Sequence, residues 1–145
     1  GVMALASSIP SPPPVFILGH PRTGTTLLHS LMALDSERFY FCNTFQAGFP
    51  TCLLFFERFG KRLFAGVLSD TRPMDNMKLH FDLPQEDELA TCLLTGFRCS
   101  PYLSLYFPRD EREFRQYHSF RNATRTDVDT WTIAFLSLVN KLKIR

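Results

Sequence analysis

Apolar residues alternate along the chain between short continuous runs and helix-like spacing, with polar segments between them. The run Val15–Leu18 has the length of a buried strand, and the spacing over 25–34 predicts a first helix. Phenylalanine and leucine recur at four-residue steps between positions 50 and 68, which predicts a second helix. The pattern therefore predicts strands and helices in one fold.

The same spacing predicts the rest of the chain. The further elements, in chain order, are a strand over 38–42, a loop over 72–83, a helix from about Pro84, a turn with an extended piece over 99–107, a short polar helix over 109–118 and a long helix over 127–143. Two strands are fewer than the roughly four to six of an ordinary sheet. The pattern therefore predicts a helix-rich α/β fold whose sheet is incomplete.

Composition narrows the function classes. A chain of 145 residues with 45% hydrophobic and 21% charged residues can bury a core and form about one domain. The net charge of +2 is too small to indicate nucleic-acid binding by itself. The cysteines show no metal-ligand spacing, which favours buried free thiols; they are Cys42, Cys52, Cys92 and Cys99.

The N-terminal segment 1–14 reads as a proline-rich lead-in to the domain. No apolar run in the chain reaches the roughly 18–20 residues of a membrane helix, and the opening segment 1–6 is too short for a signal peptide. Cytoplasmic and membrane-anchored placements both stay open, because the chain starts at Gly1 and an upstream anchor would not be seen.

The segment 19–26 carries the most informative motif. It follows an apolar run and precedes a helix, and this order brings backbone N–H groups to one point where an oxyanion can bind. Gly19 and Gly24 occupy the glycine positions of a nucleoside-triphosphate loop, but Thr25 stands where that loop has lysine. The nearest cation is Arg22, so the loop predicts an anion site without triphosphate chemistry.

Residues 21–26, Pro-Arg-Thr-Gly-Thr-Thr, resemble the 5′-phosphosulfate-binding loop of sulfotransferases. The later segment 83–88, Leu-Pro-Gln-Glu-Asp-Glu, resembles an acidic segment in one broad branch of that family. The resemblance implies a three-layer, P-loop-like parallel sheet with flanking helices. It makes 15–145 the N-terminal part of a sulfotransferase domain, with the residues for the 3′-phosphate expected beyond Arg145.

The resemblance also implies the reaction and its residues. The donor would be 3′-phosphoadenosine 5′-phosphosulfate, and its sulfuryl group would pass in line to a hydroxyl or amine without a metal. The loop residues implied to hold the donor are Arg22, Thr23, Gly24, Thr25 and Thr26. The cation Arg22 would also stabilise charge that develops in the transition state.

The acceptor needs a general base, and Glu86 is the first candidate. Its spacing from Leu89 and Leu93 places it on the apolar side of the predicted helix, where a partly desolvated carboxylate can accept a proton. His80, in the loop before that helix, is the second candidate, since sulfotransferases use either residue type. Glu88 is expected on the solvated side.

Two other functions stay open at this stage. A nucleotide-dependent phosphotransferase would keep the loop but needs a lysine where Thr25 stands, together with a metal carboxylate. A non-catalytic fragment that binds a phosphate-bearing partner is the other alternative. The motif does not select the acceptor, and small-molecule (including phenol), carbohydrate, lipid and peptide acceptors all stay open.

Overall fold

The computed structural model describes residues 13–20, 23–69, 71 and 78–144. The α-helices in these residues are α1 Thr25–Met32, α2 Thr44–Gly48, α3 Leu53–Leu63, α4 Asp87–Leu94, α5 Glu111–Arg115 and α6 Arg125–Lys143. Short 3₁₀ helices cover Pro101–Leu105, Pro108–Asp110 and Gln116–His118. The predicted helix-rich character is confirmed. None of the helices in this part of the chain is both long and apolar enough to cross a bilayer.

The predicted helices α1, α3, α4 and α6 are confirmed, with shifted ends. Helix α6 begins at Arg125 because Thr124 and Asp127 form a reciprocal capping box at its N-terminus. The predicted extended piece after Cys99 is wrong. A 3₁₀ helix forms there instead, because proline suits a first helical position and the Ser100 hydroxyl accepts a hydrogen bond from the backbone N–H of Tyr102.

Helix α2 was not predicted, although its sequence holds a signal for it. The Asn43 side chain accepts a hydrogen bond from the N–H of Gln46 (2.9 Å), and the Gln46 side chain accepts one from the N–H of Asn43 (2.9 Å). An asparagine followed three residues later by glutamine is therefore a capping box that starts this helix.

The predicted strands over 15–18 and 38–42 carry no regular secondary structure. Pairing among the described residues is limited to isolated antiparallel bridges, Asn43 with Pro84 and Thr71 with Lys78. A strand depends on a neighbour for its N–H and C=O groups, and the described residues supply none to Val15–Leu18. The predicted three-layer parallel sheet is not confirmed by this part of the chain.

The core lies where α2, α3, α4 and α6 meet. Its buried apolar residues include Cys42, Phe45, Ala47, Leu53, Ala90 and Leu138. The Phe45 ring packs against α3 so closely that a Cβ at position 60 would lie 2.4 Å from its Cζ, which explains the glycine there. The core therefore holds α4, and with it the acidic segment, at a fixed place.

The cysteines follow the prediction of buried free thiols in large part. All are free, and those at positions 42, 92 and 99 are buried, whereas Cys52 is half-buried. Burial raises the pKa of the Cys99 thiol to about 11, helped by its neighbour Asp127. Burial raises the pKa of the thiols of Cys42 and Cys92 as well, so the three buried thiols stay protonated near neutral pH and act as small apolar side chains.

Candidate active site

The described residues on either side of positions 21–22 are held together just before α1. The His20 carbonyl accepts hydrogen bonds from the N–H (3.3 Å) and the hydroxyl (2.6 Å) of Thr23. A Cβ at position 19 would lie 2.5 Å from Cγ2 of Thr25, so this approach of the chain to itself needs glycine. The first glycine of the motif thus lets the turn close.

The second glycine begins α1 and leaves its first turn open. Gly24 has a φ of 92°, a left-handed conformation that glycine adopts without strain, and its carbonyl accepts the N–H of Leu28 (3.0 Å). Having no side chain, Gly24 cannot cap the N–H groups that follow it, and the first turn holds no acidic residue. The positive end of the helix dipole is therefore available to an anion.

The predicted donor-binding residues are contiguous at this helix start. Thr23 and Gly24 are exposed, and Thr25 and Thr26 are half-buried in the first turn. Arg22 lies outside the described residues, so its contact with the donor stays a prediction.

The acidic segment is tied to the chain that leads into α2. The N–H of Thr44 donates to the Leu83 carbonyl, and the N–H of Gln85 donates to the Cys42 carbonyl, each at 2.9 Å. These bonds keep the chain extended up to Glu86. Helix α4 therefore starts later than the sequence suggested.

A buried polar network lies behind these bonds. The Glu57 carboxylate accepts hydrogen bonds from the side-chain amides of Asn43 (2.9 Å) and Gln46 (3.1 Å). It also pairs with the Lys61 ammonium (2.5 Å), which makes a second ion pair with Asp82. The network connects α3 with Asn43 on one of the paired segments and with Asp82 just before the other. The sequence analysis did not predict this network. The spacing of Glu57 and Lys61, one helical turn apart, was its only local signal.

His29 connects helix α1 with the chain that holds the acidic segment. The His29 ring meets the Phe41 ring edge to face, with centroids 6.0 Å apart, and Phe41 precedes Cys42, whose carbonyl accepts the N–H of Gln85. Burial lowers the pKa of His29, while the negative charges of Asp87 and Glu86 oppose that change. The charges of the acidic segment therefore reach one side chain of α1.

Glu86 does not lie where the sequence predicted. It is the N-cap residue of α4, with φ −66° and ψ 128°, and it is exposed. The expectation of a partly desolvated carboxylate on the apolar face is therefore wrong. Glu86 stands instead at the junction between the paired segment and the helix, accessible to a bound molecule.

Glu88 is the acid that burial perturbs. It is half-buried in the first turn of α4, and desolvation together with the charges of Asp87 and Glu86 raises its pKa to about 7. The expectation that Glu88 is solvated is therefore wrong. Its carboxyl is poised to hold or release a proton near neutral pH.

The perturbed Glu88 predicts a pH-dependent stability. The folded pKa of about 7 exceeds the ordinary value of 4.5, so the native state holds the proton more tightly and loses stability as pH rises between those values. Because water screens this half-buried group, we expect Glu88→Gln to raise the free energy of unfolding at about pH 8 by only about 1–2 kcal/mol. Urea unfolding at about pH 4 and pH 8 measures this.

A matched control for that measurement is Glu113→Gln, which changes an exposed acid on α5. It should leave the dependence of stability on pH as it is in the parent protein. An identical pH dependence for Glu88→Gln and the parent would contradict the burial of Glu88.

His80, the second candidate base, lies in the turn that precedes Pro84. Its side chain is 69% exposed, and its Nδ1 is 3.2 Å from both the N–H and a carboxylate oxygen of Asp82. The two contacts exclude each other. Nδ1 must be unprotonated to accept the N–H of Asp82, and it must be protonated to donate to the Asp82 carboxylate. His80 is thus accessible to solvent and held by Asp82, whereas Glu86 lies closer along the chain to α4.

Comparison with known proteins points in the same direction as this geometry. A family model described as "Sulfotransferase family" matches residues 13–111. Two curated relatives are similar over 141 residues at 33% identity, both called Omega-hydroxy-beta-dihydromenaquinone-9 sulfotransferase Stf3, from Mycobacterium bovis and Mycobacterium tuberculosis. The alignment covers 97% of this chain and 35% of each relative, so the chain spans about a third of their length. No solved structure matches.

The matched region contains both the anion-binding turn and the acidic segment. It includes Gly19, Gly24 and Glu86. The family match covers about two thirds of the chain, and the sequence similarity to the two relatives covers 97% of it. This chain belongs to the sulfotransferase family.

Proposed function

We propose that the protein transfers a sulfuryl group from 3′-phosphoadenosine 5′-phosphosulfate to a hydroxyl or amine of an acceptor. The acceptor atom forms a bond to sulfur while the bond from sulfur to the 5′-phosphate oxygen breaks. The electron pair of that bond leaves with adenosine 3′,5′-bisphosphate, and the acceptor proton passes to a carboxylate or imidazole base.

The observation that carries this proposal is the uncapped N-terminus of α1 within a glycine-bounded turn. The N–H groups after Gly24 would bind the 5′-phosphosulfate with the hydroxyls of Thr25 and Thr26, and Arg22 would add a positive charge. Thr25 in place of lysine favours this donor over a nucleoside triphosphate. The donor is inferred from the family and from this turn.

The base is proposed within or beside the acidic segment. Glu86 is favoured because it is exposed beside α4 and near His29 of α1, which also carries the anion-binding turn. Glu88 joins the candidate bases because its pKa is about 7. His80 remains the second candidate that the sequence predicted. Each of the three is a carboxylate or imidazole that could act as the base if the acceptor reaches it.

A hydroxyl acceptor of the small-molecule or lipid class fits the relatives best. Their name gives a hydroxylated menaquinone as the substrate, and this likeness is the reason for preferring a hydroxyl to an amine. The parallel sheet is part of the same proposal. The apolar side chains of Val15 and Leu18, which are largely exposed, would be covered if neighbouring strands of the whole domain paired with this run.

The experiment that tests the donor site is calorimetry of full-length protein with adenosine 3′,5′-bisphosphate. We expect Arg22→Ala to weaken binding by about 1.5–3 kcal/mol, because one charge-assisted contact is lost. Arg112→Ala, which removes an exposed arginine of α5, is the control and should bind as the parent does.

Two results would count against the proposed donor. A folded Arg22→Ala protein with unchanged affinity would remove the anion-binding role of the loop. Tighter binding of ATP with magnesium than of the bisphosphate would restore the phosphotransferase alternative.

A further inference from the structure

A cavity of about 490 Å³ opens between α4, the 3₁₀ helix Pro101–Leu105 and α5. Its described lining is aliphatic, aromatic or thiol. Six of the lining residues are Leu89 and Cys92 of α4, Tyr102 and Leu103 of the 3₁₀ helix, and Phe107 and Phe114 beyond it. The volume is in the range of sites that hold small molecules, roughly 300–1,000 Å³. Such a lining favours an uncharged, apolar occupant, since a charged group would lose its hydration without gaining a partner.

The cavity has one polar feature, a pair of tyrosine hydroxyls. The hydroxyls of Tyr102 and Tyr106 lie 3.3 Å apart, and their rings are 5.4 Å apart. Burial, with help from Tyr106 and the charge of Glu86, raises the pKa of Tyr102. A protonated pair in which one hydroxyl donates to the other still has one O–H left to donate to a ligand.

Helix α4 carries a wall of the cavity and follows directly from the acidic junction. Leu89 lines the cavity and donates its N–H to the Glu86 carbonyl (3.3 Å), so this wall lies within one helical turn of Glu86. The charge of Glu86 also acts on Tyr102, another lining residue. The cavity wall and the first candidate base are therefore close together at the start of α4.

We propose that this cavity holds the neutral, apolar arm of the acceptor, a hydrocarbon or aromatic chain, and that the tyrosine pair directs its hydroxyl toward Glu86. The inference rests on the proposed sulfuryl transfer, to which it adds the acceptor class. It selects an apolar alcohol over a carbohydrate, because two phenolic hydroxyls cannot satisfy a sugar whose several hydroxyls would be buried. Tyr102 and Tyr106 are positioning residues in this arrangement.

Binding without donor tests the cavity separately from the reaction. The probe is N-phenyl-1-naphthylamine, a neutral fluorophore, which straight-chain primary alcohols displace from full-length protein. We expect the dissociation constant to fall about fourfold for each added methylene until the cavity is full. Leu103→Trp, which reduces the volume, should shorten the alcohol at which this gain stops.

A matched pair of exposed phenylalanines provides the control. Phe107 lines the cavity and is 53% exposed, whereas Phe59 on α3 is 62% exposed and is not among the residues that line it. We expect Phe107→Ser to weaken binding of the longer alcohols about fivefold to tenfold, and Phe59→Ser to leave it unchanged. Because both side chains are exposed, neither change should unfold the protein.

The outcomes separate the cavity from the proposed reaction. Binding that depends on chain length and on Phe107, in a protein that transfers no sulfuryl group, would support the cavity and count against the reaction. Sulfuryl transfer with the same KM for short and long alcohols, and equal behaviour of the two serine variants, would overturn the cavity assignment. A dimer that does not bind the probe, and that Phe107→Ser dissociates, would also overturn the assignment. In that case a second copy of the chain would fill the cavity.

Discussion

Glu86→Gln in the full-length protein is expected to lower turnover by about 10²–10⁴ while leaving donor binding nearly unchanged. The substitution keeps the size of the N-cap side chain of α4 and removes its ability to accept a proton. Because Glu86 is exposed, the variant should fold as the parent does. Turnover with a saturating alcohol acceptor, together with calorimetry of adenosine 3′,5′-bisphosphate, measures the two effects separately.

Three control variants identify the base if Glu86 is not the one. Glu113→Gln, on the exposed side of α5, should be silent in both measurements. A near-silent Glu86→Gln beside an inactive His80→Ala would exchange the two assignments. A loss confined to Glu88→Gln, with a rate that in the parent rises with pH around 7, would move the role to the half-buried carboxyl.

The helices were predictable where their signals are local. Helix α6 has an apolar face and a threonine–aspartate cap, and α1 follows directly from a glycine in a left-handed conformation. Such features act within one or two turns of the chain, so the sequence alone contains them. The cap of α2 was equally local, and the prediction missed it because the segment is short and flanked by aromatic residues.

The strands were not predictable in the same way. An apolar run such as Val15–Leu18 becomes a strand only if other segments pair with its backbone, and the pairing partners are not encoded in the run itself. Among the described residues this run instead packs at one point against α6, where the rings of Phe16 and Phe135 lie 6.3 Å apart. Among the described residues, this run shows neither the sheet pairing nor the burial that its apolar pattern indicates, since Val15, Phe16 and Leu18 are largely exposed.

The start of α1 after Gly24 followed from the sequence, but the position of the acidic segment did not. The predicted helix began near Pro84, whereas α4 begins at Asp87, because long-range bonds from Cys42 and Thr44 keep 83–85 extended. Each residue of an α-helix turns by about 100°. Because this rotation is the same wherever the helix begins, the later start explains why Glu86 lies outside α4 as its N-cap residue, and the partial burial of Glu88 is a separate finding.

Glu57→Leu is expected to lower the free energy of unfolding by about 3 kcal/mol, because it removes the buried acceptor of the polar network. The amides of Asn43 and Gln46 would each lose a hydrogen bond of about 3 Å, and Lys61 would lose its ion pair with Glu57. The estimate lies at the low end for a broken buried ion pair, since Lys61 keeps Asp82.

Chemical denaturation of the parent protein, of Glu57→Leu and of the exposed control Glu113→Leu measures this loss. Glu57→Leu should lower the denaturation midpoint clearly, and Glu113→Leu should leave it nearly unchanged. Glu57→Gln retains one carboxyl-like oxygen and should fall between the parent and Glu57→Leu. The network also holds Asn43 in place beside Pro84, next to the bonds that fix Glu86. Turnover of Glu57→Gln should therefore fall at temperatures where the protein is still folded. Equal midpoints for the two leucine variants would show that Glu57 does not stabilise the acidic segment.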